Sequence, residues 1–196
     1  SLLLKVCTIF FLSNGMIFSK STLANILAPL VLILFSGAII FYQFPNIPQN
    51  VSLDEAEFIK LAQSLDGTSY IPYSQMATGH ATLYFYILLI SIKLFGATVF
   101  AVRFPSALFG VIDVVLIYFI FRLLSDYGKK TVSAFQIGLP FLLAFIFSSM
   151  RWYFNFARFG FEASTVLFFE LLGLLSYLLY RKDKNSIFLF LTGIFV

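Results

Sequence analysis

Six side chains in this chain have the types and positions to do chemistry. Asp54 and Glu55 form an acidic pair inside an otherwise greasy sequence. His80, Arg103, Arg158 and Glu162 follow at intervals, each next to a long apolar run. The acidic pair opens a segment that reads Ser52-Leu53-Asp54-Glu55-Ala56-Glu57-Phe58-Ile59-Lys60-Leu61-Ala62-Gln63-Ser64-Leu65. Ser52 with Glu55 three residues on is a helix-start pattern, in which each side chain satisfies the other's backbone N–H. At ~100° per residue, Phe58, Leu61, Ala62 and Leu65 share one face with Asp54, while Glu57, Lys60 and Ser64 take the other. Such a helix lies on a membrane surface. A carboxylate aimed at that boundary is costly unless it has a partner or a task, and accepting a proton is one such task. The plain alternative for Asp54 is a charge favoured by the helix dipole. For Arg158 and Glu162, four residues apart, it is a helical ion pair. For Arg103 it is an arginine reaching to lipid headgroups.

The elements that must hold these groups are membrane elements. Of 196 residues, 60% are hydrophobic and only 11% charged, and Phe alone occurs 27 times. A soluble domain carries about 25% charged residues. The net charge of +4 is distributed between apolar runs, where orientation signals belong, and does not indicate nucleic-acid binding. One Cys and one His exclude a disulfide within the chain and a His/Cys metal site. A divalent metal held by carboxylates stays open.

The apolar runs give the fold class: an all-α membrane protein, a polytopic bundle of transmembrane helices. Spans are expected at about 23–44, 103–124, 134–152 and 163–180, with a truncated one at 186–196. Residues 1–22 form a cytoplasmic N-terminal segment of uncertain role. The loop 45–102 is external and carries two helices beside the membrane, at 52–66 and 80–95. Residues 80–95 are short for a span, which needs about 20 residues. Laid in the outer leaflet, they leave Arg122, Lys129, Lys130, Arg181, Lys182 and Lys184 on the cytoplasmic side, as the positive-inside rule favours. Asp54, Glu55, Arg103, Arg158 and Glu162 then share the external side. The chain is expected to be the N-terminal part of a larger protein and inactive alone.

Three blocks, in order, resemble a known family. They are Asp54-Glu55-Ala56; Gly79-His80-Ala81-Thr82-Leu83-Tyr84-Phe85-Tyr86 with Lys93-Leu94-Phe95-Gly96 and Val102-Arg103-Phe104-Pro105-Ser106; and Ala157-Arg158-Phe159-Gly160-Phe161-Glu162-Ala163. Their order and spacing are similar to the bacterial protein O-mannosyltransferases and aminoarabinose transferases, which are GT-C glycosyltransferases. The resemblance runs from about residue 23 to the end. Two departures stand out: His80-Ala81-Thr82 replaces a proline-containing pattern, and Glu162 stands where many members have Asp.

The resemblance implies a sugar donor linked to polyprenyl phosphate and a protein, lipid or glycan acceptor. It implies an inverting transfer at the external face of the cytoplasmic membrane. On that reading Asp54 is the general base, with Glu55 beside it as an orienting or structural partner. Arg158 contacts the leaving phosphate, with Glu162 orienting it or binding acceptor or metal. Arg103 and His80 are further donor or substrate contacts. The rival readings are a transporter or flippase, for which the mid-span carboxylates Asp113 and Glu170 would line a central path, and a non-catalytic membrane scaffold.

Overall fold

A computed structural model describes residues 22–44, 46–74, 80–126 and 134–195. The expectations for residues 1–21, and for Lys129 and Lys130, lie outside these. Helix α1 (Thr22–Phe41) is followed by a loop and α2 (Leu53–Ser64). A small antiparallel strand pair comes next, β1 (Tyr73–Ser74) with β2 (His80–Ala81), in which Ser74 faces His80. Then come α3 (Leu83–Phe95), α4 (Val99–Asp126), α5 (Ala134–Ser149), α6 (Arg151–Arg158), α7 (Ala163–Asp183) and α8 (Ser186–Phe195).

The bundle is built around α4, which packs against α1, α3, α5, α6 and α7. At about 1.5 Å per residue its 28 residues reach past a hydrocarbon core of about 30 Å. Helices α4 and α7 are both long and apolar enough to cross a membrane. With 13 residues, α3 falls short of that thickness. The run expected as one helix over 134–152 breaks at Met150, whose extended backbone (φ −67°, ψ 124°) separates α5 from the amphipathic α6. Arg151 starts the new helix, so the arginine and the aromatic residues after it form an element of their own.

Four apolar clusters hold the helices together. One joins Phe58, Leu61, Ala62 and Leu65 of the α2 region to Tyr84, Phe85, Leu88, Leu89 and Ile92 of α3 and to the start of α4. A second joins α1, α4, α5 and α6 around Leu32, Ile117, Ala144 and Tyr153. A third joins α4, α7 and α8. In the fourth, Gly110 of α4 lets α6 come into contact. The outer surface is as apolar as the inside: Leu34, Leu94 and Phe190 are each more than three-fifths exposed. A helix apolar all round suits a bilayer, where the tails outside are as greasy as the packing inside.

The α4–α6 contact leaves no room for a side chain at Gly110. A Cβ there would lie 2.6 Å from the Cβ of Ala157, which is itself fully buried on a helix. Gly110→Val is expected to destabilise the protein by roughly 1–3 kcal/mol through overpacking. Gly138→Ala, with nothing near its Cβ, is the matched control. Thermal melts in detergent, followed by the fluorescence of the single tryptophan, Trp152 on α6, measure the difference.

Candidate active site

The site is assembled from the start of α2. Ser52 has an extended backbone, and its Oγ accepts the Glu55 N–H at 3.1 Å. The Ser52 N–H in turn donates to Glu55 Oε2 at 2.8 Å, completing the reciprocal cap. That cap leaves the rest of the Glu55 carboxylate free for distant partners. Arg103 of α4 donates from Nε to Oε1 at 2.8 Å and from Nη2 to Oε2 at 3.2 Å. The Gly160 N–H donates to Oε1 at 2.9 Å. Four donors therefore converge on one carboxylate, which has about four lone-pair positions.

Burial decides what this arrangement means. Glu55 is 2% exposed and Arg103 fully buried. Burial on its own would push the Glu55 pKa up. The Arg103 hydrogen bonds and charge, with the Gly160 and Ser52 amides, outweigh it and hold the carboxyl below its ordinary value of 4.5. The rest of the Arg103 guanidinium donates to the carbonyls of Pro48 (2.8 Å) and Asn50 (2.9 Å), and it lies 5.9 Å from the Phe159 ring centre. Gly160 is required by closeness: a Cβ there would meet Val102 Cγ1 at 2.8 Å and the Val102 carbonyl at 3.0 Å. All three sequence blocks thus meet at Glu55.

Asp54 is placed differently from the sequence expectation. It has the azimuth of Phe58 and Leu61 but is exposed, because the packed face of α2 begins a turn later, at Phe58. The acid turned inward is its neighbour, Glu55. Asp54 therefore presents a carboxylate to the surface from the first turn of a helix, where the dipole favours negative charge.

The Arg158–Glu162 spacing is not helical, because α6 ends at Arg158 and Phe159 is extended (φ −93°, ψ 148°). Arg158 is 7% exposed and turns toward the end of α1, donating to the carbonyls of Ile39, Tyr42 and Ile47. Glu162 is half-buried just before α7. It lies near Tyr84, a residue to which sequence reasoning gave no role. The Tyr84 hydroxyl pairs with Ser106 Oγ at 3.2 Å, and Ser106 Oγ also donates to the Phe161 carbonyl and accepts the Phe161 N–H. Burial raises the Tyr84 pKa well above its ordinary range, and the charges of Glu55 and Glu162 add to the rise. The signal for Tyr84 and Ser106 was available: each is a hydrogen-bonding side chain in an apolar run, on the buried face of its helix. His80 sits in β2, its backbone paired with Ser74.

The structure thus brings together Glu55, Arg103 and the Gly160 segment, with Tyr84 and Ser106 supporting the same corner. Arg103 and Arg158 are directed at protein acceptors. Among the described residues, no three His, Cys, Asp or Glu side chains gather closely enough to hold a metal ion. Chemically, the arrangement supplies one exposed carboxylate on a helix start that is fixed from beneath, a geometry suited to taking a proton from a docked hydroxyl.

Replacing Glu55 by Gln keeps the shape but leaves Arg103 buried without a counter-charge. Breaking such a pair costs about 3–5 kcal/mol, so Glu55→Gln is expected to melt far below the parent at pH 7. The folded pKa of Glu55 is depressed, so its stabilisation is present above its ordinary value of 4.5 and fades as the pH falls through the lowered one. Melting temperatures measured from pH 7 to pH 3 should therefore fall less steeply in the variant than in the parent.

Among known families, the model described as dolichyl-phosphate-mannose-protein mannosyltransferase matches residues 79–196, more than half of the chain. No curated protein and no solved structure matches.

Proposed function

We propose, from the premise that the chain belongs to the dolichyl-phosphate-mannose-protein mannosyltransferase family of membrane glycosyltransferases, that it moves a sugar from a polyprenyl-phosphate donor to an acceptor hydroxyl. The transfer takes place at the external face of the cytoplasmic membrane. Asp54 takes the proton of the acceptor hydroxyl as its oxygen attacks the anomeric carbon. The bond from that carbon to the phosphate oxygen breaks, and polyprenyl phosphate leaves with the electron pair. Direct attack from the opposite side inverts the anomeric centre. The acceptor is a protein, lipid or glycan bearing the hydroxyl.

The observation that carries this reading is the contrast within the acidic pair. Glu55 is saturated by four protein donors, while Asp54 is exposed beside it on the same rigid helix start. The fold uses the carboxylate of Glu55 and leaves that of Asp54 at the surface. In this reading Glu55 orients Asp54 through the backbone. Glu162, near Tyr84, is the further acid we assign to the acceptor. The phosphate contacts first expected of Arg103 and Arg158 would require both to leave their carbonyl partners.

The membrane placement has separate support. Helix α3 buries Tyr84, Phe85, Leu88 and Leu89 against the bundle while exposing Leu83, Ile90 and Leu94 on the other side. A short helix with two apolar faces suits the outer leaflet, one face on protein and one on acyl chains. The transport reading loses support for a related reason. Asp113 is fully buried inside the bundle, whereas Glu170 is exposed on the outside of α7, so the two acids do not line a common path.

The test is sugar transfer from defined polyprenyl-phosphate sugars in membranes carrying the full-length protein. Asp54→Asn is expected to lower kcat by about 10²- to 10⁴-fold, the usual weight of a general base. Its melting temperature should stay close to the parent's, since Asp54 is exposed. Full activity in Asp54→Asn rejects the assignment.

A further inference from the structure

We infer that Arg158 is a positioning residue that grips the backbone between α1 and α2 and so fixes where the Asp54 helix starts. The inference rests on the reading of Asp54 as the base, but its central contact is visible without it. Arg158 is the last residue of α6, and its stem is anchored: Ala157 sits against Gly110, and the Tyr153 hydroxyl donates to the Gly110 carbonyl. From that anchor the guanidinium reaches three carbonyls, Ile39 at 3.0 Å, Tyr42 at 2.6 Å and Ile47 at 3.0 Å. Ile39 lies in the last turn of α1, where carbonyls have no intrahelical donor and carry negative partial charge. Tyr42 and Ile47 belong to the loop that follows.

Arg103 takes the next two carbonyls along, Pro48 and Asn50, before its ion pair with Glu55. Two guanidiniums from separate helices thus hold five carbonyls between residues 39 and 50. Among the described residues, no regular helix or strand lies between Phe41 and Leu53, so these bonds and the turns at Gln43 set the path of the connection. Burial lowers the Arg158 pKa, and the Arg103 charge is near enough to add to the fall. That like-charge proximity is tolerated because Arg158 ends on carbonyl oxygens and Arg103 is paired with the Glu55 carboxylate. A planar fork spreads its donors over three nitrogens and so reaches acceptors that lie apart; a lysine ammonium holds its three donors on one atom at the end of a flexible stem.

The test separates this strap from the phosphate contact that the sequence suggested for Arg158. Hydrogen exchange by mass spectrometry on the full-length protein in detergent compares the parent, Arg158→Lys and Arg158→Ala. Amides of the 42–53 connection are expected to exchange about tenfold faster or more in Arg158→Ala, and to an intermediate degree in Arg158→Lys, with α4 unchanged. In the transfer assay kcat should fall while the KM for the polyprenyl-phosphate donor stays within about twofold. Unchanged exchange over 42–53 overturns the strap, as does a loss confined to the donor KM. If Arg158→Ala does not accumulate, Arg158→Lys carries both measurements. Faster exchange in a protein whose Asp54→Asn variant remains fully active upholds the grip of Arg158 on the loop and removes only the catalytic reading.

Discussion

One buried charge pair frames the corner where the three sequence blocks meet. The Glu55 carboxylate and the Arg103 guanidinium are removed from water together, and neither could be so placed alone. Removing two charges from water is repaid only when every remaining donor and acceptor is also satisfied. Here the Ser52 and Gly160 amides complete the carboxylate, and the Pro48 and Asn50 carbonyls complete the guanidinium. The pair therefore specifies geometry more than it adds stability. It fixes α2 against α4, and the Gly160 turn against both. Because Glu55 is consumed internally, Asp54 is left as the acid on the surface.

The carboxylates further down the bundle show the opposite situation. Asp113 is fully buried on α4, and neither of its oxygens has a hydrogen-bond partner among the described residues; Thr165 Oγ1 is in the same state. Glu170 interrupts the outward row of Val166, Leu174 and Tyr177 on α7. Ionisable groups at such depths are expensive in a membrane. Their surroundings differ, one among packed helices and one on an outer face, so they form no common constellation. The polar groups that do converge lie at the end of the bundle where α2, α3 and the α6–α7 turn meet.

Much of this was legible in the sequence, for reasons that can be named. The apolar runs announced a helical membrane bundle because a span needs length and greasiness, and both can be counted. The Ser52–Glu55 cap was readable because it is local: its two partners are three residues apart. The family blocks picked out the residues that meet in space. What periodicity misjudged was the exposure of Asp54. Helical angle alone put Asp54 on the apolar side, but which face is buried depends on where the neighbouring helix begins to touch, and that contact starts at Phe58. The arginines were misjudged for a similar reason. Nothing local to Arg158 says that its acceptors lie at Ile39, Tyr42 and Ile47, more than a hundred residues earlier. A guanidinium near a membrane surface reads as an anion binder until the carbonyls it serves are located.

The sequence distances inside this corner carry a consequence for how the protein is made. The acidic pair lies early in the chain, whereas its supports come 48 residues later at Arg103 and 105 residues later at Gly160. Each contact of such long range can form only after its later partner has been made. Arg103 arrives with α4, whereas the Gly160 amide follows only after α6, so the Glu55 carboxylate lacks its last donor until that turn has been made. The corner is therefore completed in stages, with the cap first, the Arg103 pair second and the Gly160 amide last, so its full geometry exists only once the chain has passed Gly160.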